Sequence, residues 1–143
     1  MSASTTATPV PASTVAALAA WHALVRSGGA DGLDALLADD ASFHSPVVHT
    51  PQRGRALVRA YLAAAATVFF GAEFRYVREI VGPYDAVLEF VATIDGVEVN
   101  GVDLIRWDTT GRIVDFKVMV RPLKAIEAVR ARMVAALQRT GPS

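Results

Sequence analysis

The chain has 143 residues, enough for one domain and too few for a second of ordinary size. With 52% hydrophobic residues it can fill a core unaided, and the absence of cysteine excludes disulfide scaffolds, thiolate metal sites and cysteine nucleophiles. Fourteen Lys and Arg balance fourteen Asp and Glu, so the chain carries no electrostatic footprint for nucleic acid or an anionic membrane.

Residues 1–12 are rich in Ser, Thr, Ala and Pro and are expected to form a disordered tail ahead of a single domain over 13–140. Residues 1–13 contain no Lys or Arg, so the charged start of a signal peptide is missing. No apolar run reaches the ~20 residues of a membrane span. A cytoplasmic protein is expected, with no nucleic-acid or membrane partner. Ser13 or Thr14 can cap a helix from Val15, in which Val15, Leu18, Trp21, His22 and Val25 recur on one face and Ser27-Gly28-Gly29 ends the run. A short helix is read over Asp31–Leu37, then a strand over Ala41–Ser45 that Pro46 stops, then a loop to Gly54. Arg55–Phe70 is a third helix with Leu57, Val58, Tyr61, Leu62, Ala65 and Val68 on its apolar side. From Glu73 the period becomes two: strands over Glu73–Val81, Ala86–Ile94, Val97–Trp107 and Arg112–Val120, joined in part by Asp95-Gly96 and Asp108–Gly111 turns. Pro122 suits the first turn of a helix running to about Gln138.

Helices segregated from a meander of strands make an α+β domain. Short sequential hairpins favour a strongly curved, mainly antiparallel sheet wrapped around the N-terminal helices, enclosing an apolar pocket. Asp103 shares its strand face with Val99, Gly101, Ile105 and Trp107. A carboxylate there is costly unless neutral or hydrogen-bonded, which makes it a candidate acid or donor. The competing reading pairs Asp103 with Arg106, Arg112 or Lys117. His44 can transfer protons near neutrality, or be satisfied at a strand end. His22, His44 and His49 are not at metal-ligand spacing, and no metal is expected.

The segments Leu36–Phe43, Ser45-Pro46, Gly54-Arg55, Gly101–Asp108 and Gly111–Val114 resemble the ketosteroid-isomerase and SnoaL-like branch of the nuclear-transport-factor-like superfamily. The resemblance spans roughly Val15 to Leu123 and implies the cone-shaped fold. In ketosteroid isomerases an Asp base works with a Tyr and a protonated Asp that donate to a developing oxyanion. Carried over, the protonated Asp falls on Asp103, the Tyr of the first helix on Trp21, and the base on Ser45, which has no basicity. Epoxide hydrolases of this fold use an Asp-Arg-Asp set; Asp103 supplies one member, with Gly101 and Val118 at the other two positions. SnoaL-like cyclases pair an Asp with a His, for which Asp103 and His44 are the match.

The resemblance therefore implies Asp103 and His44 as catalytic residues, with Trp21, Ser45, Tyr61, Phe116, Val118 and Val120 around a small apolar ligand. It implies a cofactor-free isomerase or cyclase acting on an apolar carbonyl or polyketide-like compound, and a homodimer through the outer sheet face. The alternative is a ligand-binding or dimerisation module that has lost the family base.

Overall fold

Turn chemistry and alternation account for the sheet. In the computed structural model, which describes residues 8–70 and 73–140, the elements in chain order are α1 (Ala12–Ser27), α2 (Leu33–Leu36), β1 (Leu37–His44), β2 (Gln52–Arg53), α3 (Arg55–Phe69), β3 (Arg75–Val81), β4 (Asp85–Ile94), β5 (Val97–Trp107), β6 (Ile113–Arg121) and α4 (Leu123–Thr140). Asp95 and Gly96 have φ of 51° and 77°. Both are left-handed, as the tight turn that matches strand twist requires. Along β4, Ala86, Leu88, Phe90, Ala92 and Ile94 are buried, and along β5 Val99, Gly101, Asp103, Ile105 and Trp107. One face of the sheet is thus core and the other is not.

The six strands form one open sheet in the order β2-β1-β6-β5-β4-β3. All neighbours are antiparallel except β1 and β6, which run parallel. That parallel pair seats the N-terminal strand between β2 and β6, with Phe43 opposite Phe116. Helices cover the core face. Trp21 of α1 meets Phe116 at a ring separation of 5.0 Å. α4 adds Ala125, Val129, Met133 and Ala136, all buried and spaced by four, four and three residues, so this helix also closes the core. Large side chains buried in this way stabilise by about 1.5–3 kcal/mol each.

Several boundaries differ from the sequence expectation. α1 begins at Ala12 with Pro11 at its N-cap, and Thr14, instead of capping, is buried and donates its hydroxyl to Pro83 O at 2.7 Å. The buried stripe of α1 is Thr14, Ala17, Trp21 and Leu24, while Val15 faces out. A cap and a tertiary anchor use the same hydroxyl, and here the tertiary partner wins. Residues 1–7 of the expected tail lie outside the described residues, and Ala12, assigned to that tail, belongs to the helix. β1 extends back to Leu37, shortening α2, and Gln52–Arg53 of the expected loop pair with Ser42 and Phe43. No helix among the described residues is long and apolar enough to cross a membrane.

Candidate functional site

Asp103 sits at the centre of the sheet, opposite Leu88 on one side and Val118 on the other. The two-residue period of β5 turns its side chain toward the helices, where only 6% of it is exposed. It borders a cavity of about 30 Å³ whose other walls include Trp21, Leu62, Phe69, Phe90, Phe116 and Val118. Among the described residues Asp103 is the only ionisable group lining this cavity.

Its partner is a tyrosine, not a cation. Tyr76 of β3 donates its hydroxyl to Asp103 Oδ2 at 2.5 Å. Trp21 Nε1 donates in turn to Tyr76 Oη at 3.0 Å. The indole can only donate and the phenol can do both, so the ladder runs one way, Trp21 to Tyr76 to Asp103. Arg106 instead lies near Asp85, 3.8 Å away. Burial raises the Asp103 carboxyl to about 7, against the opposing pull of the Tyr76 hydrogen bond. Burial, then the nearby Asp103 carboxylate, pushes the Tyr76 phenol far up, so it stays a donor. A neutral Asp103 has one O–H of its own. With Oδ2 accepting from Tyr76, a proton carried on Oδ1 can be donated to an oxygen placed beside it.

The structure distributes the residues implied by the resemblance over two places. Trp21, Phe116 and Val118 join Asp103 around the cavity. Tyr61 stands one ring away, with its centroid 5.9 Å from that of Phe43. His44, Ser45 and Val120 line a separate hollow at the end of β1 and β6, together with His49. The expected Asp103–His44 pairing is not assembled. Phe43 faces the core, so the next residue in the strand faces out, and His44 Nε2 lies 2.8 Å from Asp115 Oδ1. Ser45 Oγ accepts from Val47 N at 3.1 Å in the turn that follows. Trp21, which the resemblance sets at the position of the family Tyr, directs its N–H to Tyr76. Among the described residues no group of three or more His, Cys, Asp or Glu could hold a metal ion.

Tyr76 is the residue that sequence reasoning missed. It lies within an expected strand, but a register shift between Tyr76 and Arg78 changes the alternation there. Phe74 and Tyr76 both pack on Phe90, Phe74 in a stacked contact at 5.2 Å and Tyr76 edge-on at 6.4 Å. This places the phenol on the core side. Phe70 and Phe74 are shared walls: they line the Asp103 cavity and also an outer hollow of about 390 Å³ beside Tyr76.

Fold and site together define an open-cone α+β protein in which, among the described residues, one buried carboxyl group lines an aromatic cavity. The SnoaL-like domain model matches residues 18–116, and the chain belongs to that family. It is similar over 92% of its length, and 96% of the other chain, to a steroid delta-isomerase from Pseudomonas aeruginosa, with 40% identity and a TM-score of 0.87. A protein with a cystatin-like fold from Silicibacter pomeroyi is 35% identical over 85% of both chains, with a TM-score of 0.79. An epoxide hydrolase/cyclase-like enzyme of pyran ring formation in the polyether salinomycin shares the fold at 19% identity, with 76% of this chain and 90% of that one covered and a TM-score of 0.61. Comparison with curated protein sequences finds no match.

Proposed function

We propose that the protein is a cofactor-free proton-transfer enzyme of the isomerase type, acting on a small apolar ketone whose oxygen is held by Asp103. The observation that carries this reading is a buried carboxylic acid, raised to about 7 and hydrogen-bonded to Tyr76, on the wall of an aromatic cavity. Such a group keeps a neutral fraction of about one half at pH 7, and that form donates where an enolate oxygen would gain charge. Similarity to a steroid delta-isomerase supports the reaction type. Carboxyl and phenol groups transfer and donate protons without a cofactor. The exposed apolar residues Ile80 and Met119 on the outer sheet face support self-association into a homodimer.

The cavity of about 30 Å³ is an order of magnitude below the ~300 Å³ at the low end of ligand pockets. Ligand entry therefore requires Phe70 and Phe74 to move and join the cavity to the outer hollow. A second reading, a binding module without turnover, needs the same opening and is favoured by Ser45 standing in the position of the family base.

Two measurements separate these readings. 2-Naphthol, whose oxygen mimics that of an enolate, is titrated by fluorescence into the wild type and Asp103→Asn. Conversion of 3-cyclohexenone to its conjugated isomer is followed by ultraviolet absorbance. The enzyme reading expects naphthol binding and turnover, with turnover falling about 100-fold in Asp103→Asn. Binding without turnover supports the module, and absence of naphthol binding overturns the donor site.

A further inference from the structure

A second acid–base pair stands against the same tyrosine. His22 follows Trp21 on α1, and the ~100° step of a helix turns it from the core toward β3. Its Nε2 lies 2.6 Å from Oε1 of Glu79. Its ring meets Tyr76 edge-on, with centroids 5.5 Å apart and an interplanar angle of 81°. Glu79 pairs with Leu88, which in turn pairs with Asp103, so Glu79 and Asp103 lie in one row across the sheet. If Nε2–H donates to the carboxylate, the lone pair is on Nδ1. His22 lines the outer hollow with Phe70, Phe74 and Tyr76, and the two phenylalanines are the walls shared with the Asp103 cavity. A molecule with its oxygen at Asp103 and its body between those rings extends toward His22.

We propose that His22, oriented by Glu79, is the proton acceptor of this site and supplies the base that is absent at Ser45. The proposal rests on the reading of Asp103 and Tyr76 as the oxygen-binding donors. In the step, the C–H bond beside the carbonyl breaks and its proton goes to Nδ1 of His22. The C–H electron pair becomes the C=C bond, and the carbonyl π pair moves onto the oxygen held by Asp103. The imidazolium then returns a proton to the same carbon, or to the far end of a conjugated system, and neutral His22 is restored. Glu79 is a positioning residue that holds the ring and its tautomer. The other charged or titratable groups lining the hollow are Arg26 from α1 and Arg75 and Tyr76 from β3; among the described residues, α3 contributes only Phe70, at its C-cap.

A purely structural alternative is available, since the pair also ties α1 to β3. The test separates the two. Exchange of the C1 protons of 2-tetralone for deuterium is followed by proton NMR in D2O, with 2-naphthol affinity measured in parallel. The variants are His22→Asn, His22→Gln, which keeps a side chain able to donate to Glu79, and Glu79→Gln; near-UV circular dichroism checks the fold. Loss of a positioned base lowers the exchange rate about 100-fold in both His22 variants, and naphthol affinity is retained. The wild-type rate falls on the alkaline side as Asp103 loses its proton at about 7, and its acid-side inflection, set by the base, is absent in the His22 variants. Glu79→Gln lowers the rate less. A folded His22 variant that keeps the wild-type rate or the acid-side inflection overturns the proposal, as does a wild type that binds naphthol but shows no exchange. Absence of naphthol binding in the wild type instead removes the Asp103 reading, and this inference falls with it.

Discussion

Asp103→Asn should make the protein more stable at high pH, by an amount that can be worked from the structure. In the folded state the carboxyl titrates at about 7 because it is buried, against an ordinary value of 3.8. Between these values the unfolded chain has released the proton and the folded chain has not. Each rise in pH through that window therefore favours unfolding. The stabilisation is fully present below 3.8 and is lost as pH climbs through about 7. At ~1.36 kcal/mol per pH unit, the interval amounts to about 4 kcal/mol. Asparagine keeps the shape and an oxygen to accept from Tyr76, but does not titrate. The assay is urea unfolding of both proteins at about pH 4 and about pH 8, comparing midpoints at a common slope. All other titrations are shared and cancel in the difference. The stability difference should shift toward the variant by about 4 kcal/mol over that range. A difference that does not change with pH would mean that Asp103 is solvated in the native protein, and the donor site would be lost with it.

Tyr76→Phe removes the one hydrogen bond that opposes the effect of burial on Asp103. A bond to a charged group is worth about 1.5–3 kcal/mol, so the Asp103 midpoint should rise by about one to two pH units, as read by carbon-13 NMR of the carboxyl; a fall would refute the assignment. Gly101→Ala places a methyl carbon 2.4 Å from Phe90 Cζ and 2.7 Å from the Met119 carbonyl oxygen. Overpacking of this kind costs about 1–3 kcal/mol in chemical denaturation, and an unchanged midpoint would contradict the close approach. Light scattering after size exclusion should give a dimer for the wild type and a monomer for Ile80→Glu, which charges an apolar outer-face residue that is 59% exposed. A wild-type monomer would defeat the homodimer.

Much of the architecture was legible because its signals are local. The change from helical to alternating period near Glu73 located the meander, and Asp95-Gly96 marked a hairpin whose two left-handed residues the structure contains. Asp103 stood out because a carboxylate among Val99, Gly101, Ile105 and Trp107 has no water to solvate it on the core face. The limits were equally physical. His44 could be assigned a face only once Phe43 was known to pack on Phe116, a contact 73 residues away across a parallel pair. Tyr76 was hidden by the register shift of an edge strand, which alternation alone does not reveal.

By itself, then, the sequence determined the main helices and the long strands, their order and the presence of one acid on an apolar face, since propensity, turn chemistry and side-chain period act between near neighbours. Tertiary structure alone decided what meets that acid. Trp21, Tyr76 and Asp103 are separated by 55 and 27 residues along the chain, and only closure of the sheet against α1 brings them into one hydrogen-bonded ladder. Desolvation, the cause of the raised Asp103 titration, is likewise a property of the assembled core and of no single segment.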